Sequence, residues 1–209
     1  MFEEVKKIVF ITSESCNLKC KYCEINKNST KEHLIEAQRV KQSLLDGSYV
    51  TRYMQVANKF NIDVSQILSV DLWGQEPTLT LNEFGTQFNR IMDWLPNCNH
   101  MFFSTNIIAF PERIVNFLKI VNNYFSKQET RTFICQIQFS FDGREPTLEK
   151  RGIDPDKIIN NIKYIISELN KIEIDNKVLF RFCFHGVLTL DIMKKGLETN
   201  VNDHWVEMD

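Results

Sequence analysis

The chain lacks any run close to the roughly 20 apolar residues that a membrane-spanning helix needs. Its first residues, Met1 to Lys7, include acids and no long apolar core of a signal peptide. Both absences point to a cytoplasmic protein without membrane partners. A basic excess is missing too: 25 Lys and Arg stand against 27 Asp and Glu, a net charge of −2, so nothing supports nucleic-acid binding. No low-complexity stretch, linker or short-period repeat interrupts the 209 residues, and 43% hydrophobic with 25% charged residues suits one globular domain over 1–209. There is no second Cys-x2-Cys, the pair that would favour a zinc site. Because a cytosol keeps thiols reduced, Cys98, Cys135 and Cys183 read as buried small hydrophobes rather than bridges.

What the chain does have is Cys16-Asn17-Leu18-Lys19-Cys20-Lys21-Tyr22-Cys23, three thiols at C-x3-C-x2-C on one short loop. Three thiolates serve three irons of a 4Fe-4S cluster, whose usual complement is four cysteines, and leave the fourth iron open to an outside ligand. Zinc is the alternative, with a fourth ligand from a distant Cys or His. The apolar, β-branched run Lys7 to Thr12 precedes the loop, which therefore sits at the C-terminal end of a strand.

Strand and helix signals then alternate. Thr30 to Gly47 and Val50 to Phe60 read as helical, with Leu34, Ala37, Val40 and Leu44 at three- and four-residue intervals and Gly47 between the two pieces. Gln66 to Leu72 is a strand, and Thr80-Leu81-Asn82-Glu83 is a capping-box pattern opening a helix that aligns Phe84, Phe88, Ile91, Met92 and Leu95. Met101 to Thr105 and Phe133 to Phe141 are strands. Pro111 starts a helix with Ile114, Phe117, Leu118 and Val121 on one face, and Asp154-Pro155 starts another with Ile158, Ile162, Ile165, Ile166 and Leu169 inward. Val178 to Leu190 holds a fifth strand. This order predicts an α/β fold of parallel strands joined by crossover helices, either a barrel or an open sheet, in which ligands sit at the C-terminal strand ends.

C-x3-C-x2-C with an aromatic before its last cysteine, placed after an N-terminal strand, resembles the signature of the radical S-adenosylmethionine (SAM) enzymes. The resemblance implies a partial (β/α) barrel of about five to six units, with Cys16, Cys20 and Cys23 as cluster ligands and Tyr22 beside the adenine. Trp73-Gly74-Gln75-Glu76-Pro77-Thr78-Leu79 resembles the Gly-Gly-Glu-Pro segment that receives the SAM amino group, in the version of the anaerobic sulfatase-maturing, peptide-modifying branch, with Gln75 in place of the second glycine. That side chain either crowds the methionyl end or hydrogen-bonds to it. Thr105-Asn106 is similar to the family's Thr-Asn-Gly, with Ile107 where glycine is expected. Ser140-Phe141-Asp142-Gly143 is similar to its Ser-x-Asp-Gly, whose polar side chains bind ribose. Arg151, with Arg144 as a rival, stands at the spacing of the arginine that pairs with the SAM carboxylate. Val187, Leu188 and Thr189 fall where the adenine pocket is lined, and His185 lies nearby.

On this resemblance the chain is a radical SAM enzyme. It cleaves SAM reductively at the cluster and abstracts hydrogen through a 5'-deoxyadenosyl radical, drawing electrons from a donor such as flavodoxin or ferredoxin; a peptide or protein is the first substrate class, with a small molecule, a nucleotide and a glycyl-radical activase role left open beside it. No sixth strand is evident after Thr189, so the chain is either a shortened barrel or part of a longer protein. The departures at Gln75 and Ile107 motivate the second reading, a non-catalytic iron-sulfur or zinc interaction module that retains the barrel.

Overall fold

The computed structural model describes residues 5–23 and 31–186. Five strands, β1 (Lys7–Ser13), β2 (Ser69–Gly74), β3 (His100–Thr105), β4 (Phe133–Ser140) and β5 (Val178–His185), form one parallel sheet in chain order. Five longer helices alternate with them: α1 (Lys31–Leu45), α2 (Ser48–Lys59), α3 (Leu81–Trp94), α4 (Pro111–Phe125) and α5 (Pro155–Leu169). A doubly wound sheet reverses its strand order at a switch point. No reversal occurs among the described strands, and the architecture is α/β, consistent with a partial β/α barrel.

Strand alternation shows where the core lies. Phe10, Leu72, Phe103 and Ile137 meet in register from β1 to β4 and are buried with Phe84, Phe88, Phe117 and Ile158 from the helices. The other strand face carries Val9, Ile11, Trp73, Ser104, Gln138 and His185, which are half-buried or exposed; Trp73 is 59% exposed. Among the described residues, helices therefore cover one face of the sheet, and the opposite face would be the inner wall of a partial barrel.

The free edge of β1 is protected by α2. Tyr49 and Tyr53 donate their hydroxyls to the Ile11 and Val9 carbonyls at 2.6 and 3.0 Å. Those carbonyls would otherwise offer a template for another strand.

Several elements differ from expectation. The strand predicted from Gln66 begins at Ser69, because Asp63 accepts from the Ser65 N–H at 3.0 Å and starts a 3-10 turn over Val64–Gln66. The capping box at Thr80 does not form. Thr80 donates its hydroxyl to the Thr12 carbonyl at 2.7 Å, and Glu83 pairs with Lys41 at 3.1 Å, so tertiary partners replaced local ones. Asp154 does cap α5, accepting from the Asp156 N–H at 3.0 Å. Ile166, expected inward, is 44% exposed, since it lies a quarter-turn off the stripe of Ile158, Ile162, Ile165 and Leu169. Leu34 is also exposed, and Cys183 is half-buried, whereas Cys98 and Cys135 are buried as expected. The predicted extension of β5 to Leu190 lies outside the described residues. No described helix is long and apolar enough to cross a membrane.

Candidate functional site

At the C-terminal ends of the strands a cavity of about 500 Å³ gathers most of the residues singled out from sequence. Its wall includes Cys16, Cys20, Tyr22 and Cys23 from the loop after β1, and Gly74 at the end of β2 with Gln75 and Glu76 just beyond it. Thr105 and Asn106 come from the end of β3, Ser140 from β4 and Arg151 from the turn beyond it. Leu188, with Val187 and Thr189, lies outside the described residues. A second cavity of about 600 Å³, which includes Asn99, Arg131 and Thr132, opens at the other end of the sheet. There Arg131 donates to the Met92, Leu95 and Cys98 carbonyls at 3.0, 2.5 and 2.7 Å, a tie of α3 to the sheet that reads as stability rather than chemistry.

The cysteine loop is held from several sides. The Leu18 N–H and the Asn106 Nδ2 donate to Cys16 Sγ at 3.4 and 3.7 Å, and Asn106 Nδ2 also donates to Asn17 Oδ1 at 2.9 Å. The Cys23 N–H donates to the Cys20 carbonyl at 3.1 Å and closes a turn. Burial pushes the Cys20 thiol up, nearby Arg151 pulls it down, and Cys23 and Asp142 push it up again. Among the described residues, no group of three His, Cys, Asp or Glu side chains is arranged to hold a metal ion. Tetrahedral zinc with Zn–S near 2.3 Å would draw the sulfurs to about 3.8 Å of one another. The three loop thiols line one cavity and Cys16 Sγ accepts two N–H bonds, features that suit sulfur ligands of a cluster, which interposes its own irons and sulfides.

Gly74 has φ +135°, and a Cβ there would lie 2.2 Å from the Ser13 carbonyl oxygen. The close approach that this glycine permits is by the end of β1, to which the Gln75 N–H donates at 3.0 Å. Gln75 donates Nε2 to the Glu14 carbonyl at 3.0 Å and leaves its Oε1 buried without a partner. An orphan acceptor beside a cavity is the kind of group that a ligand ammonium satisfies.

Glu76 is buried and well supplied with donors. Its Oε1 accepts from the Thr78 N–H and hydroxyl at 3.1 and 2.6 Å and from the Thr105 hydroxyl at 2.7 Å, while Oε2 accepts from the Asn106 N–H at 2.8 Å. Burial pushes its pKa up, and these donors pull back part of the shift. The carboxylate thus joins the ends of β2 and β3.

Ile107, at the position of the family's glycine, has φ +53°. The backbone conformation suits glycine, and a β-branched residue adopts it at a cost of about 1–2 kcal/mol. Its side chain is fully buried, and its carbonyl accepts from Asn161 Nδ2 at 2.7 Å.

After β4 the charged groups pair with each other. Arg151 makes a bidentate contact with Asp142, and the Tyr22 hydroxyl donates to Asp142 at 2.9 Å. Arg144, the rival, lies at the surface with Asp156, 2.8 Å away. Sequence reasoning missed Thr78, Asn17, Ser104 and Gln138. The last two follow from period two along their strands, since Gln138 shares a face with Ser140. Thr78 follows from Glu76 capping the turn two residues on, whereas Asn17 acts through Asn106, 89 residues away, a contact that no local pattern announces.

No protein-family model matches the chain. Across 211 residues, covering 99% of this chain, it is 25% identical to the radical SAM cyclopropyl synthase TigE of Paramaledivibacter caminithermalis, and it spans 42% of that relative's length. The likeness supports placing the chain in the radical SAM superfamily.

Proposed function

We propose that the chain is a radical SAM enzyme, with Cys16, Cys20 and Cys23 holding a 4Fe-4S cluster and SAM seated against the β2, β3 and β4 ends. The observation that carries this reading is the convergence of four separate strand-end segments, first paired by resemblance, on the wall of one cavity with all three loop thiols. When bound, the cluster supplies the electron that splits SAM into methionine and a 5'-deoxyadenosyl radical.

The chain's own residues bind and orient. The unpartnered Gln75 Oε1 is an acceptor for the SAM ammonium, and Glu76 keeps the β2 and β3 ends together beneath it. Ser140 offers a hydroxyl towards ribose, and Tyr22 presents a ring at the cavity wall beside the adenine. Ser104, Gln138 and His185 also line the cavity and are the candidates for substrate contacts. A peptide or protein is the substrate class that the sulfatase-maturing resemblance favours. A reduced flavodoxin or ferredoxin would deliver the electron, and the setting would be cytoplasmic.

Anaerobic reconstitution with iron and sulfide, then SAM and dithionite, tests the proposal through chromatographic detection of 5'-deoxyadenosine. Product is expected from the native chain and not from a variant with Ala at Cys16, Cys20 and Cys23. Iron and sulfide bound without product would favour the non-catalytic module, and zinc without iron would favour the zinc reading.

A further inference from the structure

We infer that Asp142 and Arg151 form a latch that positions the cysteine loop, with Tyr22 as the part of the loop that it grips. The inference rests on the proposed cluster site and assigns these residues a task apart from binding SAM.

Resemblance gave the two charges to the ligand, Asp142 to ribose and Arg151 to the SAM carboxylate. In the structure they are committed to each other. Arg151 Nε and Nη2 donate to Asp142 Oδ2 and Oδ1 at 2.5 and 2.9 Å, with the two side chains 7% and 0% exposed. Redirecting either partner would leave a buried charge unpaired, which strongly favours keeping the pair.

Tyr22 is held at both ends by this pair. Its hydroxyl donates to Asp142 Oδ2 at 2.9 Å, and the Arg151 guanidinium lies 5.3 Å from the centre of its ring. One residue earlier, the Lys21 N–H donates to the Lys150 carbonyl at 2.8 Å, so the loop backbone is fastened to the turn Thr147–Arg151 that carries the guanidinium. Tyr22 stands between Cys20 and Cys23, so holding it restrains the short backbone that carries two of the three thiols. Arg151 is accordingly a positioning residue, acting on the cluster through Tyr22.

Two gentle variants test the latch without stranding a charge: Tyr22→Phe removes the hydroxyl bond, and Arg151→Lys keeps the charge but not the planar, bidentate contact. The native chain, both single variants and the double variant are reconstituted anaerobically. Three readouts follow: iron release to EDTA, the electron paramagnetic resonance signal of the dithionite-reduced cluster before SAM is added, and the SAM dissociation constant by equilibrium dialysis.

The latch predicts roughly tenfold faster iron release and an altered signal in each single variant, as expected for a lost charge-assisted bond. The double variant should release iron no faster than the quicker single, because both changes open one device. Native release and signal in Arg151→Lys, with SAM binding weakened roughly tenfold, would make Arg151 a SAM ligand and overturn the latch. Fully additive effects in the double variant would overturn it as well. If the native chain retains no iron and sulfide, the cluster reading itself fails, and the latch is then read in the metal-free chain by hydrogen exchange at the Lys21 amide. Exchange roughly tenfold faster in both variants would uphold it, and unchanged exchange would overturn it.

Discussion

Asn106 donates from its side-chain amide to Cys16 Sγ at 3.7 Å, while its backbone N–H donates to Glu76 Oε2 at 2.8 Å. One residue at the end of β3 thereby connects the buried carboxylate to the cysteine loop. N–H bonds to a cluster sulfur favour the reduced, more negative state and raise the reduction potential. Asn106→Ala should make the potential of the reconstituted cluster more negative, by up to about 60 mV, the equivalent of a tenfold change for one electron. A dithionite-mediated redox titration measures it, and an unchanged potential would remove Asn106 from this role.

Glu76 is expected to matter for folding before it matters for ligand. Glu76→Ala would strand the buried Thr78 and Asn106 N–H donors and should cost on the order of 3 kcal/mol in urea denaturation. Glu76→Gln keeps an acceptor and should cost less. Equal stability of the native and Ala chains would refute the bridging role.

Ile107 provides a reversal of the usual ranking. At ordinary backbone angles glycine is worse than alanine by roughly 0.5–1 kcal/mol. With φ at +53°, only glycine relieves the left-handed strain of about 1–2 kcal/mol, while alanine keeps the buried Cβ, worth about 0.8 kcal/mol, that glycine gives up. Ile107→Gly should therefore be at least as stable as Ile107→Ala, by up to about 1 kcal/mol. Thermal and urea unfolding of the pair decide it.

Burial pushes the Cys135 thiol up to about 12 and the Cys98 thiol up to about 11. An unfolded thiol titrates near 8.5, so above roughly pH 8.5 the unfolded chain releases protons that the folded chain keeps. Stability should fall as pH rises through that value towards 11 and 12, by up to about 1.4 kcal/mol per pH unit for each thiol. Cys135→Ala should be less stable at neutral pH yet show a shallower decline between pH 8.5 and 10. Parallel declines in metal-free samples would contradict the assignment.

Much of the fold was legible because strand and helix periodicities are local. The apolar runs of β1, β3 and β4, separated by helical stripes such as that of α5, point to the parallel α/β arrangement. Their limits were local as well: Thr80 met the pattern of a cap, but Thr12, 68 residues away, takes its hydroxyl. Spacing likewise marked Cys16, Cys20 and Cys23 and the strand ends that would face them. Ile107 and Gln75 were visible only as departures; the positive φ and the unpartnered oxygen that give them meaning needed coordinates.

By itself, then, the sequence determined the order of elements, the buried stripes and the residue types able to hold a cluster, since these depend on side-chain chemistry and short-range geometry. Only tertiary structure decided which charges are spent on one another. Asp142 meets Tyr22 across 120 residues of chain, and whether a buried carboxylate serves a ligand or a loop depends on which donors the fold brings to it first.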